Sequence, residues 1–117
     1  MGYRSEIAIA LRKNDYEDLK NFAKHENRED VTKILEKGEM NKLPCSDNNY
    51  IILYWDWIKW YGDEISFIDE FLKNLEDKDD KAYEFICIGE DYSDAEQLGA
   101  GEYIWLNRSI GYIGGHT

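Results

Sequence analysis

The chain has 117 residues, a formal charge of −11, two cysteines and one proline. That length suits one folded domain and argues against two independent cores. Hydrophobic residues make up 43% and aromatics 15%, which excludes an acidic chain disordered throughout.

The charge is concentrated. Residues 1–62 hold 10 basic and 11 acidic residues, residues 63–102 hold 3 and 14, and residues 103–117 hold one arginine and no acid. Phosphate contacts need clustered Lys and Arg, so this balance argues against direct nucleic-acid binding. It argues equally against an anionic membrane surface. The N-terminus lacks the layout of a signal peptide, and no apolar run approaches the length of a membrane span. Cys45 and Cys87 have no CxxC spacing and are too few for a disulfide scaffold. These features predict a cytoplasmic protein.

In chain order, residues 6–12 alternate, with Ile7, Ile9 and Leu11 on one face and Glu6, Ala8, Ala10 and Arg12 on the other. This predicts a strand whose small alanines allow a close approach by another element. Asn14 and Glu17 have the spacing of a capping box and open a helix with Tyr16, Leu19, Phe22 and Ala23 as its apolar stripe. A second helix is predicted over residues 26–37, with Gly38 ending it in a left-handed conformation. Residues 43–49 read as a loop.

Residues 50–61, YIILYWDWIKWY, predict a long strand with apolar bulk on both faces. Ile51, Leu53, Trp55 and Trp57 share one face, and Ile52, Tyr54, Asp56 and Ile58 the other. Gly62-Asp63 turns the chain into a helix marked by Ile65, Ile68, Phe71, Leu72 and Leu75, and residues 77–81 form an exposed loop. A strand follows over 83–88, then an acidic connection over 90–101, then a fourth strand over 103–107 that 109–113 extends or joins. The predicted architecture is α+β, a two-layer sandwich. A mostly antiparallel four-stranded sheet carries its helices on one face, in the order β-α-α-β-α-β-β. A single α+β domain is predicted over 1–113, with 114–117 as a flexible tail.

Three constellations bear on function. The acids Glu70, Glu76, Asp77, Asp79 and Asp80 cluster around the third helix and its end, and Glu90, Asp91, Asp94 and Glu96 follow, with Tyr92 among them. One reading is a partner-binding face that imitates the spaced charges of nucleic acid and steers a basic protein toward it. The other is a solvated surface that keeps a small protein soluble. The segment lacks the ligand spacing of a calcium loop, so no metal is expected. The aromatic strand comes second: Trp57, Trp60 and Tyr61 are interface anchors if they are exposed, and core residues if they are not. Third, His25 and His116 have no triad or metal spacing, and no glycine-rich phosphate loop follows a strand. The chain is therefore read as non-enzymatic, with no cofactor.

The segments MGYRSEIAIAL, YWDWIKWY with ISFIDEFL, and FICIGEDYSD together resemble small proteins encoded by bacteriophages and prophages of Gram-positive bacteria. The likeness spans residues 1 to about 112. It implies an accessory protein working in the host cytoplasm. Small acidic phage proteins of this size often inhibit host nucleases or defence complexes, including CRISPR effectors, and the resemblance implies that class of action. The function expected is inhibition of a host defence or nucleic-acid-binding protein through the acidic face, by a monomer or homodimer. The alternative is a non-enzymatic binder of a small nucleotide signal, using the aromatic strand with Arg4, Arg12 or Arg108.

Overall fold

Strand β1 (Ser5–Arg12) is the spine of the sheet, because its side chains are buried on both faces. It pairs antiparallel with β2 (Tyr50–Ile58) on one side and β3 (Tyr83–Gly89) on the other. β3 pairs antiparallel with β4 (Ala95–Leu98), giving the order β2-β1-β3-β4. The computed structural model describes residues 5–60, 62–78, 82–89, 95–99, 103–107 and 109–112.

Helices α1 (Lys13–His25), α2 (Glu29–Met40) and α3 (Asp63–Lys78) lie on one face of the sheet. Beneath them Ile7, Ile9 and Leu11 meet Leu53 and Trp55 of β2, with Leu19, Leu35, Ile68 and Leu72 from the helices. The architecture is the α+β sheet-and-helix arrangement that the hydrophobic periodicity predicts. Helix boundaries differ in instructive ways. α1 starts at Lys13, one residue before the expected Asn14 cap, and has no side-chain cap. Its first amide is satisfied from a distance, since Lys13 N donates to Asn49 O at 2.9 Å. At the other end Asn27 adopts φ +56°. Arg28 N then reaches Ala23 O (2.9 Å) and Asn27 N reaches Lys24 O (3.1 Å), a Schellman closure. The left-handed stop therefore belongs to Asn27 and ends α1, so α2 begins at Glu29.

Gly38 does not end α2 but lies inside it, buried against Trp55. A Cβ there would sit 2.3 Å from Trp55 Cζ2. Trp55 is fully buried, and its Nε1–H donates to Ile34 O at 2.8 Å. The glycine is thus a gap through which the helix comes close enough to receive an indole. Tyr16 ties α1 to α2 nearby, with its hydroxyl 2.7 Å from Glu39 Oε1 and 3.2 Å from Leu35 O.

The second face of the sheet carries a β-hairpin, β5 (Ile104–Asn107) with β6 (Ser109–Tyr112). The sequence pattern places residues 103–107 in the main sheet; the fourth strand there is instead β4, inside the supposed acidic connection. Ile104 and Ile110 pack on Ala8, Ala10, Ile52, Ile86 and Ile88. The two alanines of β1 are what let the hairpin approach. It is pinned by Glu84, only 5% exposed, whose Oε1 accepts Tyr103 N (2.9 Å) and Ile104 N (3.0 Å). Tyr103 also stacks on Tyr50 at 4.0 Å and bonds Asp47 Oδ2 at 3.0 Å.

One irregularity matters for the aromatic strand. Ser5 pairs with Ile58 but Ile7 with Trp55, so β2 carries an extra residue between them. A bulge of this kind reverses the alternation of faces. Ile58 consequently packs with the helix-side core and not with Ile52 and Tyr54.

Candidate functional site

α3 buries Ile65, Ile68 and Leu72 against the sheet. Helical geometry then sets Glu70 and Asp77 on the outward ridge and Asp69 and Glu76 on the flank nearer β3 and β4. β4 brings Glu96 into register with Cys87 of β3. Partial burial raises the Asp69 carboxyl above the usual carboxylate range; Lys73 opposes the shift and the charge of Glu96 adds to it. Tyr83 donates its hydroxyl to Glu76 Oε2 at 3.2 Å. Burial pushes that phenol up to about 12, with the charges of Glu76, Asp69 and Glu96 adding to the effect. The charges of Asp69 and Glu76 of α3 and of Glu96 of β4 thus all reach Tyr83 of β3, and that of Glu96 also reaches Asp69. Acids far apart in sequence meet on one side of the molecule because β4 folds back beside β3.

Of the acids singled out from the sequence, Glu70, Glu76, Asp77 and Glu96 are exposed. Asp77 falls in the last turn of α3 and not in a loop. Asp79, Asp80, Glu90, Asp91, Tyr92 and Asp94 lie outside the described residues, as do Tyr61 and the tail 114–117. Trp57 belongs to β2, but its side chain lies outside the described set. Trp60 is half-buried, packed against Trp55 (5.1 Å) and Phe85 (6.2 Å) beside the helix-side core.

Only some of the groups expected to hold a nucleotide fall among the described residues. Trp55 is buried with its indole N–H engaged, and Arg12 Nε pairs with Asp15 Oδ2 at 2.9 Å. Arg4 and Arg108 lie outside the described residues. Cys45 and Cys87 are not joined in a disulfide, and burial raises the Cys45 thiol above its ordinary value. Among the described residues no group of three or more His, Cys, Asp or Glu is placed to hold a metal ion. Nor is any described helix long and apolar enough to cross a membrane.

Comparison with protein-family models, with curated proteins and with solved structures finds no match to this chain. Function must therefore be read from its own surface.

That surface holds a feature the sequence reading missed. Phe22 of α1 is 42% exposed and stacks on Phe67 of α3 at 5.1 Å, with Phe71 at 6.2 Å. These rings line a groove of about 470 Å³ with Glu26, Arg28, Glu70 and Asn74. Phe67 and Phe71 are four residues apart and sit to one side of the Ile65–Ile68–Leu72 stripe. An apolar arc wider than one stripe is the sequence signal that would have disclosed it. Two further hollows are open to solvent. One, of about 770 Å³, lies beside the α1–α2 connection around Lys24, Asp30 and Lys33, and one of about 250 Å³ lies near Lys13, Lys42 and Cys45.

Proposed function

We propose that this protein is a non-enzymatic inhibitor that binds a basic surface of a host defence or nucleic-acid-binding protein through the acidic side formed by α3 and β4. The resemblance of its segments to small phage proteins supports action in a bacterial cytoplasm, with a CRISPR effector or another nuclease as the class of target. The observation that carries this reading is that the sheet brings Glu96 of β4 to the same side as Asp69 and Glu76 of α3, with Tyr83 of β3 donating to Glu76 Oε2 at 3.2 Å. Carboxylates gathered this way repel one another and oppose folding, so they suit a surface that meets positive charge elsewhere. Exposed Glu70 and Asp77 extend the same negative side along α3.

The test is a plating assay. The protein is expressed in a Gram-positive host that restricts a phage through a nuclease-based defence, and plaque formation is scored. Plating should rise with the native protein and fall back with the combined Glu70→Lys, Glu76→Lys, Asp77→Lys and Glu96→Lys variant. Equal protection by that variant would overturn the acidic-face reading. So would failure of the native protein to relieve either CRISPR or restriction nucleases.

A further inference from the structure

We propose that the groove between α1 and α3 is a docking site for a basic amphipathic helix of the partner, which seats its apolar side chains on Phe22, Phe67 and Phe71. Two features of the groove specify that occupant. Its floor is aromatic and open to solvent: Phe22 bridges the two helices by ring stacking, yet 42% of it remains exposed. Large apolar side chains left uncovered between helices are the usual seat for a partner helix, whose anchors recur at i, i+3 or i+4. A groove of about 470 Å³ takes on the order of two such anchors.

The rim fixes the sign of the charge. Glu26, just past the end of α1, and Glu70 on α3 line the groove, and among the described residues neither has an ion-pair partner. Arg28 is the one cation among the described lining residues, and its charge is already satisfied. It pairs with Asp30 Oδ2 (3.0 Å) and Asp63 Oδ2 (2.8 Å), while its guanidinium covers Phe67 at 5.2 Å. Both carboxylates are exposed and, among the described residues, uncompensated, on either side of an aromatic floor. An acidic or neutral helix would leave them unpaired, whereas Lys or Arg beside an apolar anchor would meet them. The basic character of the occupant accords with the proposed function and rests partly on it. Glu70 belongs to both surfaces, whereas Glu76 and Glu96 lie on the other flank of α3.

The experiment uses the full chain and two synthetic probes, an amphipathic Leu/Lys helix and an equally charged peptide with every Leu replaced by Ala, read by fluorescence polarisation. The Leu/Lys peptide should bind at least about tenfold more tightly than its alanine counterpart, since apolar anchors carry most of such an interface. Phe22→Ala should weaken the Leu/Lys peptide by a similar factor. Its exposure makes Phe22 a safe truncation, and circular dichroism confirms that the variant is folded. Glu26→Lys with Glu70→Lys should weaken it on the order of threefold or more and flatten its salt dependence. Equal affinity for the two peptides, no binding of either, or full binding by folded Phe22→Ala would each overturn the proposal. So would a self-association in sedimentation that Phe22→Ala abolishes, because a second copy would then be the occupant. The Glu76→Lys and Glu96→Lys pair keeps the two ideas apart. If that pair preserves inhibition in the plating assay, the acidic-face reading fails while the peptide result still stands.

Discussion

Replacing Gly38 by alanine sets two physical effects against each other. In an exposed helix interior the change stabilises by about 1 kcal/mol, because glycine loses more backbone freedom on folding. Here the added methyl would lie 2.3, 2.5 and 2.8 Å from Cζ2, Cε2 and Cη2 of Trp55. Favourable carbon contacts begin near 3.5 Å, so either the helix or the ring must move by about 1 Å. Trp55 has little room to move: it is 0% exposed, packs on Trp60 at 5.1 Å and is tethered to Ile34 O. Overpacking of this kind costs about 1–3 kcal/mol, and weakening the indole hydrogen bond adds about 1. The net expectation for Gly38→Ala is a loss of about 1–3 kcal/mol. At about 4 °C per kcal/mol for a chain of this length, Tm should fall by about 4–12 °C. Urea titration followed by circular dichroism at 222 nm measures it. Combining Gly38→Ala with Trp55→Phe identifies the cause, since the smaller ring withdraws the atoms that clash. The double variant should be less damaged than the two single losses predict, by about 1–2 kcal/mol. A rise in Tm for Gly38→Ala, or strict additivity with Trp55→Phe, would refute the packing account.

Glu84→Ala removes the acceptor of Tyr103 N and Ile104 N beneath the hairpin. Leaving buried amides without a partner costs about 1–3 kcal/mol each, so amide exchange across β5 and β6 should accelerate while β1 keeps its protection. Uniform acceleration across the whole sheet would show that the hairpin does not open separately. Asp69→Asn probes the pH dependence. Burial and Glu96 raise the folded carboxyl above its unfolded value, so the folded state binds the proton more strongly. The contribution of Asp69 to stability is full below the unfolded pKa of about 4 and is lost as pH rises through the higher folded value. Asn should therefore raise Tm at pH 7 and leave it nearly unchanged at pH 3. The same gain at both pH values would contradict the charge argument.

The periodicity of the chain was enough to place β1, the three helices and the inward residues of α3. Ile7, Ile9 and Leu11 alternate on a strand, and Ile65, Ile68 and Leu72 recur at helical spacing, so local geometry assigns each its buried side. Residues 103–107 look equally like a strand in either setting. Pairing partners are chosen by long-range contact, and here Glu84 and the two alanines of β1 draw β5 and β6 onto the second face. Gly38 was legible as a glycine but not as a contact, because a helix end and a close approach to Trp55 call for the same residue type. The bulge near Ile58 was equally hidden, since it appears only when two strands are laid side by side.

The same division holds for the candidate site. The sequence by itself determined that the excess negative charge belongs to α3 and the segments after it. Only the tertiary structure decided that Glu96 comes within electrostatic reach of Asp69, and that Phe22 crosses from α1 to Phe67 on α3. Charge is a property of each residue and adds along the chain. A groove belongs to two helices at once, and what brings them together is the sheet that both of them cover.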